Sequence, residues 1–152
     1  MKPEFLSKQE RQKLLEELEK KFGIFGINYL FLKTGKEKIR AFSGSLSREE
    51  LSALARAVNI ELIGLYFAKQ QGNNNEIRLS HDVISLLCDK INKSIIELTK
   101  EEAEKWLKGQ DIEKKTEKGI FVLKYDDDLI GIGKSSGDRI INFVPKERRI
   151  RD

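Results

Sequence analysis

The sequence predicts an α+β protein in two parts. Residues 1–93 form an α/β module, and residues 94–152 form a small, partly closed pseudo-barrel of mixed strands with one or two helices. Three observations predict this. Helical and extended apolar patterns alternate through the first part in the order α-β-β-α-β-β-α. A helix-start signal at Thr99 and Glu102 then opens one further helix. From Gly119 onward the pattern is β alone, with short strands and closely spaced turns.

Each element has a local cause. Ser7 and Glu10 have the spacing of a capping box, in which side chain and backbone satisfy each other's free groups at a helix start. Leu14, Leu15, Leu18 and Phe22 follow at helical spacing, and Gly23 stops the run. The apolar stretch 28–33, the turn 34–37 and the returning stretch 38–43 predict a hairpin. Ser47 and Glu50 predict a second helix, carrying Leu51, Leu54, Ala55 and Val58. Residues 60–68 predict a strand, 70–75 a polar turn and 76–79 an alternating return strand. Ser80 or His81 then caps a short helix with Val83, Ile84, Leu86 and Leu87 on its apolar face. In the second part, 94–98 predicts a strand and 99–108 a helix closed by Gly109 as a left-handed cap. Strands follow at 120–125, 129–134 and 139–144, separated by the turns 126–128 and 135–138 and ended by Pro145.

Lys and Arg outnumber Asp and Glu by 29 to 25, a net charge of +4. Such a balance favours an anionic partner without requiring one. Local clustering says more: Lys146, Arg148, Arg149 and Arg151 crowd the chain end. The single cysteine, Cys88, excludes an internal disulfide and a multi-cysteine metal site. No apolar run approaches the roughly 18–20 residues that cross a bilayer, and residues 1–5 lead into a charged helix. A soluble, cytoplasmic protein without membrane association is expected.

Catalysis needs a nucleophile, a base or a metal arranged together, and the sequence offers no such set. His81, at a helix start, is expected to cap or to face solvent, although a general base could stand there. Cys88, on the apolar face of the same helix, is expected to be an inert buried thiol. Asp126-Asp127-Asp128 lacks the spacing of a calcium loop and predicts a tight turn. Gly131-Ile132-Gly133 lies inside a β stretch with no helix after it, so it is not a phosphate cradle. Catalytic residues, metal ligands and cofactors are therefore all expected to be absent, and the chain is expected not to be an enzyme.

The stretch 119–134 (GIFVLKYDDDLIGIGK), followed by 139–150 (RIINFVPKERRI), resembles a PUA domain. The PUA-like C-terminal domain of Sun-type RNA cytosine-C5 methyltransferases is especially similar, with a TKEEA…WLKG-like helix, here Thr99 to Gly109, and a PK-x-RR-like ending, here Pro145 to Arg149. The first part, through 62–69 (LIGLYFAK), 76–79 (EIRL) and the helix 83–87, is similar to the pre-PUA domain of short ribosome-biogenesis factors. Together the resemblances cover almost the whole chain and imply a pre-PUA-like domain over 1–93 and a PUA-like domain over 94–152. The glycine-rich segment that many PUA domains carry after their helix is reduced here to Gly109-Gln110-Asp111.

The resemblance implies a non-catalytic protein that binds structured ribosomal or transfer RNA in ribosome biogenesis or RNA modification. Lys134 and Arg139 face each other across a hairpin, and Lys146, Arg148, Arg149 and Arg151 follow Pro145. If the last strand returns beside Gly131–Lys134, these cations form one rim for phosphates, where Gly131 and Gly133 let a splayed base approach. The tail alone fits a solvated segment equally well. Lys108, Lys69 and Arg78 could extend the basic face or simply meet solvent. Trp106 could stack on a base, but Ala103 and Leu107 beside it favour a core position. Two other readings remain: a protein-interaction adaptor, and a targeting subunit for a separate RNA-modifying enzyme such as a cytosine-C5 methyltransferase. Ribosome-assembly or RNA-modification proteins would be its protein partners.

Overall fold

A computed structural model describes residues 4–35, 37–42, 49, 50, 53, 65–71 and 76–150. The capping box at Ser7 is formed: the Ser7 hydroxyl accepts from the Glu10 N–H at 3.1 Å, and the Glu10 carboxylate accepts from the Ser7 N–H at 3.0 Å. Helix α1 (Lys8–Phe22) follows, burying Leu14, Leu18 and Phe22 and ending at Gly23. The hairpin is β2 (Leu30–Thr34) and β3 (Lys38–Phe42), and a short strand ahead of the helix, β1 (Glu4–Phe5), pairs with β2. With β4 (Leu65–Gln71) and β5 (Glu76–Leu79) these make an antiparallel sheet in the order β1-β2-β3-β4-β5. Apart from residues 49, 50 and 53, the predicted helix from Ser47 to Val58 lies outside the described residues, as do 60–64 and 72–75.

Ser80 is the cap of α2 (His81–Leu86), its hydroxyl accepting from the Val83 N–H at 3.2 Å. Two expectations fail here. Leu86 is 55% exposed, and Cys88 is exposed rather than buried. Val83, Ile84 and Leu87 define the buried face; at about 100° per residue, positions 86 and 88 lie roughly a quarter turn to either side of it. The helix also ends before Cys88, in the turn 87–90.

The second sheet comprises β6 (Ile95–Glu97), β7 (Ile112–Glu113), β8 (Gly119–Tyr125), β9 (Asp128–Ser135) and β10 (Arg139–Asn142), in the order β6-β8-β9-β10-β7. β6 runs parallel to β8, and every other pairing is antiparallel. The two-residue β7 carries too little pattern to be seen in the sequence. Helix α3 (Lys100–Leu107) begins with the expected Thr99–Glu102 capping box. Burial pulls the Glu102 carboxyl upward, but the Thr99 N–H and the Lys114 ammonium outweigh it and hold the group below its ordinary value. At the other end Gly109 N–H donates to Trp106 O and Gln110 N–H to Lys105 O. That paired closure needs the left-handed backbone that Gly109 supplies at φ +91°.

The second sheet is buried on both faces. One face, with Leu123, Ile140 and Val144, packs on Trp106, Ala103 and Ile112. The other presents Val122 and Ile132 to a larger cluster built from α1, α2 and the inner face of the first sheet, including Leu18, Phe67, Ile77 and Ile84. Adjacent residues of β8, Val122 and Leu123, thus belong to different cores. The fold is α+β with a PUA-like pseudo-barrel, as the sequence predicts.

Candidate nucleic-acid interface

Trp106 is fully buried and organises the barrel side. A Cβ on Gly131 would lie 2.7 Å from the Trp106 ring nitrogen. On Gly133 it would lie 2.5 Å from the ring edge and 2.6 Å from the Ile141 carbonyl. The two glycines make room for the indole, so the expectation that they admit a base is corrected. Asn142 fixes the same region: its side-chain amide donates to Trp106 O and Gln110 O at 2.8 and 2.9 Å and accepts from Val144 N–H at 2.7 Å.

β10 does return beside β9, pairing Ile141 with Lys134, while Arg139 pairs with Glu113 of β7. Directly opposed residues share a face, and so do residues two apart on one strand. Lys134, Ile141 and Arg139 therefore stand together at the open end of the face whose other end docks onto the first sheet. Ile141 is 41% exposed between the two cations. Lys134 lies 3.1 Å from Glu76 of β5, and Arg139 lies 3.5 Å from Glu113 and 4.0 Å from Asp111. These side chains are about half exposed, so each pair contributes only about 0.2–1 kcal/mol and a phosphate can compete for the cation.

The chain end divides. Lys146 is exposed in the 3₁₀ turn Lys146–Arg148. Arg148 reaches the first part and bonds Asp82 at the start of α2, 2.8 Å away. Arg149 folds the opposite way: its side chain lies over Gly109, and its Nε donates to Val144 O at 3.0 Å. Ile150 N–H donates to Leu107 O, so the tail is laced to α3 and is not a free arm. Lys108 is exposed at the end of α3, away from Lys134, and Arg151 lies outside the described residues. The structure thus brings Lys134 and Arg139 together and sends Arg148 and Arg149 to different sides.

Lys69 and Arg78 sit opposite each other on β4 and β5. The Arg78 guanidinium lies 3.9 Å from the centre of the Phe143 ring, and Lys69 pairs with Glu37 at 3.6 Å. Their face also holds three residues that sequence reasoning passed over. Lys38 is opposite Lys69, Arg40 is opposite Tyr66, and the Lys38 ammonium lies 5.6 Å from the Tyr66 ring. Burial pushes the Tyr66 hydroxyl above its ordinary value against the pull of Arg78 and Arg40. Burial, then Arg148, pushes His81 below its ordinary value, with Asp82 opposing. Among the described residues no three His, Cys, Asp or Glu side chains gather as a metal-holding group, and Asp126 and Asp127 form a turn. No helix among them is long and apolar enough to cross a membrane.

Residues 93–150 match the family described as the methyltransferase RsmF PUA domain. The chain is 28% identical over 151 residues to ribosomal RNA small subunit methyltransferase F of Psychromonas ingrahamii, an alignment covering 96% of this chain and 30% of that protein. It is 37% identical over 84 residues to the protein of the same name from Vibrio campbellii, covering 51% of this chain and 18% of that one. With the Photobacterium profundum protein it shares 33% identity over 99 residues, 64% of this chain and 20% of that one. The chain thus spans less than a third of the length of these relatives. The Psychromonas alignment runs through both sheets, so the first part has its likeness in the same methyltransferase as the second. Over residues 93–150 the chain is thus similar to the PUA domain carried by RsmF-type methyltransferases.

Proposed function

We propose that the chain binds RNA and holds it without reacting with it, through Lys134 and Arg139 at the open end of the second sheet. Structured ribosomal RNA is the favoured partner, transfer RNA the alternative, and the setting is RNA modification or ribosome assembly in the cytoplasm. The observation that carries this is the PUA match over residues 93–150, which contains both cations on one exposed face. Residues 1–93 act as a second domain that shares the interface through Lys69 and Arg78. Lys146, Arg148, Lys108 and Arg151 add outlying phosphate contacts, and Arg149 supports the surface by holding the tail in place.

A second reading is a positioning unit for cytosine-C5 methyltransferase chemistry, favoured because the relatives are methyltransferases that this chain matches over only part of their length. In either case affinity comes from cations that displace condensed counterions. Fluorescence anisotropy with a ribosomal RNA hairpin tests this. The double variant Lys134→Glu/Arg139→Glu is expected to lose at least tenfold in affinity. It should also flatten the dependence of log affinity on log salt by about 0.9 per lost phosphate contact. Unchanged affinity and slope would refute the assignment.

A further inference from the structure

The outer face of the first sheet carries a row that the PUA match does not include. Lys38, Lys69 and Arg78 stand directly opposite one another on β3, β4 and β5, about 10 Å from end to end at ordinary strand spacing. Like charges directly opposed across a sheet destabilise it. Each of these cations rests on a makeshift partner. Lys38 lies over the Tyr66 ring, Arg78 lies on the Phe143 ring, and Lys69 meets Glu37. Tyr66 is half-buried, and its ring presents a π surface amid the row. Glu76, on the same face as Arg78, bonds Lys134 of the second sheet. Through Glu76 the row is thus linked to Lys134 of the second sheet.

An aromatic ring set among cations is the chemistry that binds an unpaired nucleotide strand, the ring stacking a base and the cations meeting phosphates. A duplex has no splayed base to offer such a ring. An arginine lying on one ring leaves its opposite planar face open for a base or a phosphate. We propose that this face is a platform for single-stranded RNA. Tyr66 stacks one base, Lys38, Lys69 and Arg78 hold the flanking phosphates, and the strand leads on toward Lys134. This rests on the RNA-binding reading above and adds to it a preference for unpaired nucleotides.

The test uses the full chain with two fluorescein-labelled probes, a 12-nucleotide oligouridylate and a 12-base-pair RNA duplex. Tyr66→Leu, which keeps bulk but removes the ring, is expected to weaken oligouridylate binding about tenfold and to leave duplex binding unchanged. Tyr66→Phe should bind as wild type, because it retains the ring. Circular dichroism confirms that Tyr66→Leu is folded, and ultraviolet crosslinking of the wild-type protein should join uridine to a peptide containing Tyr66. Oligouridylate binding that survives Tyr66→Leu, or crosslinks confined to residues 94–152, overturns the platform. If that happens while Lys134→Glu/Arg139→Glu still abolishes binding, the RNA-binding reading stands and the platform alone falls. A wild-type chain that binds neither probe nor the ribosomal hairpin removes both.

Discussion

Replacing Asn142 by alanine tests whether the barrel side is built as described. The amide makes three hydrogen bonds to backbone groups of α3, its closing turn and the segment leading to the tail. Asn142 is only 9% exposed, so solvent is poorly placed to replace them. At a net of about 1 kcal/mol per bond, losing all three costs about 3 kcal/mol. Any carbonyl left buried and dry would add to that loss. For a chain of this size each kcal/mol lowers Tm by roughly 2–4 °C, which gives a fall of about 6–12 °C. Thermal and urea unfolding followed by circular dichroism measure it. Asn142→Asp is the sharper variant: nearly isosteric, it turns an oxygen toward two carbonyl oxygens in place of the amide donor. Its carboxyl should therefore be held above the usual range, since only the protonated form can donate to a carbonyl. A raised folded-state pKa gives stability that is present at low pH and lost as pH rises through it. Asn142→Asp should accordingly lie closer to wild type at pH 4 than at pH 7. A loss below about 1 kcal/mol for Asn142→Ala, or an Asn142→Asp deficit independent of pH, would refute the reasoning.

Gly133→Ala drives a methyl into the Trp106 ring and the Ile141 carbonyl; such overpacking should cost about 1–3 kcal/mol, read as a lower urea midpoint with a changed near-ultraviolet tryptophan signal. His81 has a folded-state pKa held below the ordinary 6.5 by burial and then by Arg148. Its contribution to stability is therefore full above the unfolded-state pKa and is lost as pH falls through the folded one. His81→Gln should flatten that acid limb of the urea midpoint between pH 7.5 and 5, and Arg148→Gln should raise the His81 pKa seen by NMR titration.

Signals confined to a few residues were legible in the sequence. The capping boxes at Ser7 and Thr99 form at the expected positions because they depend only on residues three apart, while the one expected at Ser47 lies outside the described residues. The hairpins formed by β2 with β3 and by β8 with β9 follow from turns between apolar runs. Lys134 and Arg139 come together for the same reason, flanking one tight turn. What failed required knowledge of which surfaces are covered. β8 and β9 are buried on both faces, so they carry no alternation to say which side meets a partner, and the glycines of β9 looked like openings instead of seats for Trp106. Tyr66 was hidden by the register shift between Ile39 and Arg40. That irregularity leaves Phe67 and Ala68 both buried, so β4 reads as an apolar run when part of it is a half-buried aromatic-basic face. Arg149 looked like one more tail cation because nothing local reveals that it folds back over Gly109.

The cations that would meet RNA also tie the two sheets together, and the magnitudes decide whether these roles conflict. Lys134 pairs with Glu76 and Arg148 with Asp82, and each pair crosses between the halves. These pairs are about half exposed, so each contributes at most about 1 kcal/mol. The halves are joined more firmly by Val122 and Ile132 in the shared core and by the bond from the Ser94 hydroxyl to Lys21 O. Phosphates can therefore take Lys134 and Arg148 from their carboxylates without parting the sheets. Added salt weakens those internal pairs together with the phosphate contacts. Part of the electrostatic loss on the RNA-bound side is then matched in the free protein, and the measured salt slope should fall short of the number of phosphates touched. Removing an internal competitor, as in Glu76→Gln, should strengthen RNA binding at low salt and bring that slope closer to the contact count.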